Sequence, residues 1–298
     1  MSNTPSITEA QNPDSAQIDA LPTRDILQII NAADQEIAPA VQQELPTIAL
    51  AVDAIVARLE NGGRLFYIGA GTSGRLGVLD ASECPPTFNT PPDLVQGLIA
   101  GGDRALRHSV EQAEDSREQA KADLQTRSFN EGDALIGIAA SGRTPYVLGG
   151  IEYARSIGAL TVGLSCVPRS PVSEAAEIAI TPVSGPEIIT GSTRMRAGTA
   201  TKLVLNMIST TLMIRLGYVY GNLMVNVQPT NVKLTDRARR IIAEITGVSY
   251  DEASRLLKEA GSVRAAILMH ERQISRVEAE AKLSAAKGRL RIALETEP

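Results

Sequence analysis

The sequence predicts an α/β protein: a doubly wound, parallel five-stranded sheet with an N-terminal helical arm and a small C-terminal helical domain. Three observations lead there. Short apolar runs near 64–69, 94–99, 133–139, 159–165 and 177–181 read as buried strands separated by helical patterns, the alternation that produces a parallel sheet. Two of these runs, 64–69 and 133–139, pass directly into turns rich in Gly, Ser and Thr. After Pro229 the sequence becomes charged and Ala-rich, helical in pattern and without strand signals.

In chain order, helical patterns near 24–33 and 38–60 form the arm, closed by Asn61-Gly62-Gly63, a helix C-terminal signal. The expected divisions are 1–63 for the arm, 64–228 for the α/β domain and 229–298 for the C-terminal helices. Residues 235–271 read as a small three-helix unit punctuated by Gly247-Val248-Ser249 and Gly261-Ser262, a packing or dimerisation appendage.

The most informative stretch is Tyr67-Ile68-Gly69-Ala70-Gly71-Thr72-Ser73-Gly74-Arg75. A strand enters a glycine-rich turn and a helix follows, so unpaired amides and the positive end of a helix dipole face one point, as a phosphate requires. The same residues spell G-x-G-x-x-G. A dinucleotide site also needs an acidic residue about 20 positions on, at the end of the second strand. That strand ends in Ala100-Gly101-Gly102, and Asp103 stands at the expected N-cap of a periodic run from Arg104 to Leu124, which occupies its carboxylate locally. A smaller phosphate ester is therefore favoured.

Two further turns support it. Ser141-Gly142-Arg143-Thr144-Pro145 follows the strand at 133–139, and Gly191-Ser192-Thr193-Arg194-Met195-Arg196-Ala197-Gly198-Thr199 precedes a long helix from about Ala200 to Leu216. Hydroxyls and backbone amides suit a phosphomonoester. Any one of these turns could be an ordinary N-cap; three together argue otherwise.

Composition narrows the class. The chain has 298 residues, 43% of them hydrophobic, and no apolar run near the length of about 18 to 20 residues that a membrane span needs, so no membrane partner is expected. The stretch Met1 to Asp19 is polar, without the pattern of a signal peptide. Two cysteines without metal spacing, Cys84 and Cys166, suit a reducing cytoplasm, and two histidines make a zinc site improbable. A net charge of −5 argues against nucleic acid.

Gly69 through Gly77, Asp80-Ala81-Ser82-Glu83-Cys84-Pro85-Pro86 and Glu111-Gln112-Ala113-Glu114-Asp115-Ser116 together resemble the N-acetylmuramic acid 6-phosphate etherase family. The resemblance continues through Ala140 to Tyr146, Gly191 to Met195, Asn222 to Val225 and Thr230 to Leu234, and reaches Thr8-Glu9 and Ser15 to Asp19. It covers nearly all of the chain before the last sixty or so residues.

That family belongs to the sugar isomerase (SIS) fold group, whose Ser/Thr loops bind phosphosugars. The resemblance implies a phosphosugar substrate held by Gly71, Thr72, Ser73, Ser141, Gly142, Arg143, Thr144, Ser192 and Thr193. The group's second loop resembles S-x-S-G-x-T; here Ala139 replaces the first serine, and Arg143 is a candidate substitute donor. The implied reaction cleaves the D-lactyl ether at C3 of N-acetylmuramate 6-phosphate, giving N-acetylglucosamine 6-phosphate and D-lactate. In the open-chain sugar C3 is β to the aldehyde, so removal of the C2 proton permits elimination and water then adds back. This needs two acid/base groups and no metal, nicotinamide or flavin.

The family's catalytic glutamates fall on Glu83, as acid/base at the ether oxygen, and Glu114, as base at C2. On a continuous helix from Arg104, Glu114 would lie nearer than Glu111, Asp115 or Glu118 to an apolar stripe of Leu106, Val110, Ala113 and Leu124, and partial burial would raise its pKa. Without the resemblance, a solvated helix face is the better reading of Glu114. His108 reads as a structural histidine, with sugar-ring opening as a lesser alternative. A noncatalytic phosphosugar-binding regulator of the same fold group is the runner-up; a phosphosugar isomerase and a nicotinamide-dependent dehydrogenase are further alternatives. Paired SIS domains imply a homodimer.

Overall fold

The computed structural model describes residues 6–108 and 110–296, with the side chain of Glu111 also outside the description. These residues form two compact units. One comprises the chain up to Ser82 together with Pro92–Ser209; the other comprises Glu83–Pro91 and the chain from Thr210 onward.

In the first unit, three short 3-10 turns lead into α1 (Thr23–Gln35), α2 (Ile37–Gln42) and α3 (Leu45–Glu60). The single long helix expected over 38–60 is two helices, because the chain breaks at Gln43-Glu44 and restarts with Pro46 in the first turn of α3. The α3 face of Ile48, Ala51, Val52, Ile55, Val56 and Leu59 is buried. The helix packs on the sheet at its far edge.

The sheet has β1 (Leu65–Gly69), β2 (Val95–Ile99), β3 (Ala134–Ile138), β4 (Leu160–Leu164) and β5 (Ile178–Ile180), all parallel in the order β2-β1-β3-β4-β5. All five expected strands are present. They are apolar because helices cover both faces and β1, β3 and β4 are buried along their whole length. In this order the winding reverses between β1 and β3, the position at which doubly wound sheets bind ligands beyond the carboxyl ends of their strands. At the opposite edge the buried Asp133 carboxylate accepts the Arg64 backbone amide (2.8 Å), the Arg64 guanidinium (2.7 Å) and the Asn130 amide (3.0 Å). This ties the starts of β1 and β3 together.

The crossover helices are α4 (Gly71–Phe88), then α5 (Arg104–Arg107) and α6 (Arg117–Thr126) between β2 and β3, α7 (Pro145–Ser156), α8 (Pro171–Ala175), and α9 (Arg196–Arg215) after β5. Both α4 and α9 continue from the first unit into the second.

The second unit holds α10 (Val232–Thr246), α11 (Tyr250–Ala260), α12 (Val263–Arg272), α13 (Arg276–Ala285) and α14 (Leu290–Glu295). The three helices expected over 235–271 are therefore followed by two more. Side chains of Asn231, Ser249, Ser262 and Ser275 cap α10 to α13, and Gly247 and Gly261 end α10 and α11 in the left-handed conformation, as their sequence positions suggest. Ile241, Ile242, Leu256, Leu257, Ile267 and Leu268 form the core.

Candidate active site

The first loop is shaped by two glycines. A Cβ on Gly69 would stand 2.7 Å from the Gly74 nitrogen, and one on Gly74 would meet Gly69 O at 2.7 Å and Ile99 Cγ1 at 2.6 Å. Only glycine at both positions lets the first turn of α4 settle onto the end of β1. Gly71, Thr72 and Ser73 are that first turn, so their amides precede any helical i−4 partner. Thr72 and Ser73 are half-buried.

The second loop leaves the neighbouring strand. Gly142 has φ +67° and lies so near Ser170 that a Cβ would come within 2.1 Å of its Oγ. Its carbonyl accepts the Val172 amide (3.0 Å), and the Ala140 carbonyl accepts the Cys166 amide (2.9 Å). Ser170 Oγ is in turn 3.1 Å from Ser165 Oγ and 2.9 Å from Ser173 Oγ. This buttress of serines from β4 and α8 escaped the sequence reading, since only the fold brings it under residue 142. Thr144 is the N-cap residue of α7, yet its side chain makes no capping bond. Among the described residues, the hydroxyls of Thr72, Ser73, Ser141 and Thr144 have no protein hydrogen bond, which disfavours the plain N-cap reading of both loops. Arg143 is exposed, whereas Ala139 is 3% exposed and belongs to the apolar core, so the missing serine removes no donor from the open side of the loop.

The third loop differs. Helix α9 begins at Arg196, four residues earlier than expected, because the buried Glu187 carboxylate accepts the Arg196 and Ala197 amides at 3.0 Å each. An internal anion thus fills this helix start. Ser192 and Thr193 lie just upstream, half-buried. The loop is held by the arm: Ser15 Oγ donates to Ile188 O (2.7 Å), and Arg196 pairs with Glu36 (2.6 Å). It still reaches the first loop, since a Cβ on Gly198 would lie 3.6 Å from Thr72 Cγ2.

The run from Arg104 to Leu124 is not one helix. After α5 the chain is extended at His108, forms a 3-10 turn over Glu111–Asp115, and restarts at α6, where Ser116 Oγ accepts the Gln119 amide (3.2 Å). The S-x-x-Q spacing of Ser116 and Gln119 is the start signal that periodicity overrode. Glu114 therefore sits on the turn, exposed, rather than on a half-buried stripe. That turn packs against α7, the helix that follows the second loop. Asp103 is exposed and its side chain does not cap α5, so the local role expected for its carboxylate is absent. His108 is exposed rather than buried in the fold.

Glu83 is an exposed residue near the C-terminal end of α4. In the second unit, Asn226 Nδ2 donates to Phe88 O (2.9 Å) and Asn89 O (3.2 Å) where that helix ends. One turn before Glu83, within the first unit, the buried Asp80 carboxylate accepts Tyr67 Oη (2.9 Å), Asn206 Nδ2 (2.7 Å) and Ser209 Oγ (3.1 Å), which fixes α4 to β1 and α9.

A 2-1-3-4-5 parallel sheet with two hydroxyl-bearing helix starts at its switch point defines a doubly wound ligand-binding domain, and the comparisons place it among SIS domains. Residues 47–155 match the family model of the glucokinase regulatory protein N-terminal SIS domain. An Escherichia coli CFT073 protein solved in complex with A5P shares the fold at TM-score 0.50 and 15% identity, over 68% of this chain and 97% of its own. A candidate phosphosugar isomerase involved in capsule formation from Bacteroides fragilis does so at TM-score 0.50 and 19% identity, over 66% and 94%. Sequence similarity is more specific. The chain is 55% identical to the N-acetylmuramic acid 6-phosphate etherase of Vibrio vulnificus over 97% of its length and 96% of that protein. It is 54% identical to the Salmonella dublin etherase over 97% and 98%, and 55% identical to that of Rhodopirellula baltica over 90% and 89%. The chain belongs to the N-acetylmuramic acid 6-phosphate etherase family.

Proposed function

We propose that the chain cleaves the lactyl ether of N-acetylmuramate 6-phosphate by elimination and rehydration, with the phosphate at the β1/β3 switch point and Glu83 and Glu114 as the acid/base pair. The observation that supports this most is the pair of adjacent helix starts, α4 and α7, whose Thr72, Ser73, Ser141 and Thr144 hydroxyls are free to donate. Together with the backbone amides and the exposed Arg143, they suit a dianionic phosphomonoester. Ser192 and Thr193 complete the proposed contacts from the side of α9.

With the phosphate held, the sugar chain extends from the crevice. Glu114 takes the C2 proton of the open-chain aldehyde, and the C3–O bond breaks as Glu83 protonates the departing lactate oxygen. Glu83 then activates water, which adds to C3, and the proton returns to C2. The sum is one ether and one water in, one alcohol on the sugar and one lactate out. Each positioned acid or base contributes about 10²- to 10⁴-fold in such steps. A homodimer acting in the cytoplasm fits this reading; Leu27, Leu50, Leu79 and Ile189 are large and exposed in the first unit, and both cysteines are buried and outside any disulfide.

The test is D-lactate release from N-acetylmuramate 6-phosphate in ¹⁸O water, with Glu83→Ala in parallel. Label at C3 of the product sugar and loss of release in the variant are expected. Phosphosugar binding without lactate would instead make the chain a regulator, the role named by the matched SIS model.

A further inference from the structure

We propose that Arg75 is a positioning residue that sets the Glu114 turn against the first phosphate helix; the inference rests on the reading of Glu114 as the base at C2. Arg75 lies on α4, just past the first loop. Its Nε donates to Leu106 O (3.1 Å) and its Nη2 to Ala105 O (2.8 Å). These are last-turn carbonyls of α5, a helix of four residues that cannot bond them itself; the amide of His108 takes only the Arg104 carbonyl (3.0 Å). The guanidinium therefore closes α5 from outside.

Among the described residues, few other polar contacts from outside hold this stretch. It enters from Gly101 and Gly102, both at positive φ, and among the described residues Arg75 makes the only side-chain hydrogen bonds to residues 104–115. Apolar packing supplies the remaining hold: Ala105 is buried, and a Cβ on Gly101 would lie 3.1 Å from Val110 Cβ and 3.3 Å from Ala113 Cβ. Downstream, Ser116 and the contact of the turn with α7 hold the other end. The Glu114 turn is thus suspended between the helices of the two phosphate loops, with Arg75 its polar link to the first. The planar fork of arginine serves two carbonyls at once, which a lysine ammonium on a flexible stem does not.

A base misplaced by about 1 Å can cost 10²-fold in rate. Arg75→Met and Arg75→Lys would be compared with Glu114→Gln in the full chain by three readouts: kcat for lactate release, hydrogen–deuterium exchange at C2 of N-acetylglucosamine 6-phosphate by NMR, and the affinity for that sugar phosphate. Expected are parallel losses of kcat and C2 exchange of about 10- to 100-fold in Arg75→Met, a partial loss in Arg75→Lys, and affinity within twofold of wild type. Retained affinity also shows that a variant is folded; should Arg75→Met fail to fold, Arg75→Lys decides. Wild-type C2 exchange in a folded Arg75 variant, with Glu114→Gln inactive, overturns the positioning role. Lost affinity with unchanged kcat overturns it too, making Arg75 a phosphate ligand. Unchanged C2 exchange in Glu114→Gln overturns the assignment of the base itself.

Discussion

Removing the Glu187 carboxylate should loosen the start of α9 and, through it, the proposed phosphate loop at 71–73. The carboxylate is 1% exposed and accepts two backbone amides, Arg196 N and Ala197 N, at 3.0 Å each. Hydrogen bonds to a charged group contribute about 1.5–3 kcal/mol each, and an orphaned buried donor costs about 1–3 kcal/mol. Against this, Glu187→Ala also relieves the desolvation of a buried charge, so the net loss should be about 2–3 kcal/mol. Glu187→Gln keeps one acceptor and should lose about half of that. At about 2–4 °C per kcal/mol for a unit of this size, the alanine variant should melt roughly 4–12 °C lower. Circular dichroism in urea reads the stability, and amide exchange at Arg196 and Ala197 reads the local cause. Because Gly198 adjoins Thr72, affinity for N-acetylglucosamine 6-phosphate should fall in the same order. A change under about 0.5 kcal/mol, the range of an ordinary surface substitution, with both amides still protected, would refute the capping argument.

Other consequences are separable. Gly149→Ala would place a Cβ 2.4 Å from Arg117 O and 2.6 Å from Arg117 Cα, both backbone, so α6 and α7 must part at a cost of about 1–3 kcal/mol; Gly150→Ala meets first the end of the Ile68 side chain, at 2.8 Å, and its urea midpoint should move less. Burial pushes the Cys166 thiol up to about 12, so at pH 8 only about one molecule in ten thousand carries the thiolate; it should resist Ellman's reagent until urea unfolds the chain. In α13, Ser275 hydrogen bonds hold the Glu278 carboxyl below its ordinary range. A depressed carboxyl stabilises above the unfolded value and loses that contribution as pH falls through the folded one, so the melting difference between wild type and Ser275→Ala should narrow in acid.

The sequence makes the sheet legible because each strand is buried on both faces: apolar runs of five or so residues between polar turns admit few other readings, and all five lie within a residue or two of the expected ends. The two hydroxyl-bearing turns proposed to hold phosphate are legible for a local reason, since the glycines, hydroxyls and helix start are contiguous. What escapes lies outside any regular period. The serines beneath Gly142 come from a later strand-to-helix segment that only the topology brings there, and the carboxylate at α9 reaches back across an irregular loop from nine residues upstream. The helix expected over 104–124 fails differently: its apolar spacing suits one helix, but the cap at Ser116 restarts the chain and turns Glu114 outward. For this residue the proposed role rests on the family resemblance alone, since the periodicity misreads its surroundings.

In the proposed reading, holding and chemistry fall to different parts of the fold. The shared anchor at Asp133 and the register Gly69↔Ile138 bring β1 and β3 to their ends at the same level, so the hydroxyls at 72–73 and 141–144 emerge from neighbouring strands at one height. Phosphate binding in this reading is thus a property of the sheet and its strand ends. The proposed acid/base residues belong to no strand end: Glu114 rides a turn reached from α4 through Arg75 and packed on α7, and Glu83 lies near the end of α4, where Asn226 of the same unit bonds the last carbonyls. Substitutions in the turn or at its anchors should therefore change kcat while leaving phosphosugar affinity near wild type. Those under the loops, at Gly142 or Ser170, should do the reverse, and the two classes can be told apart by KM and kcat measured on the same variants.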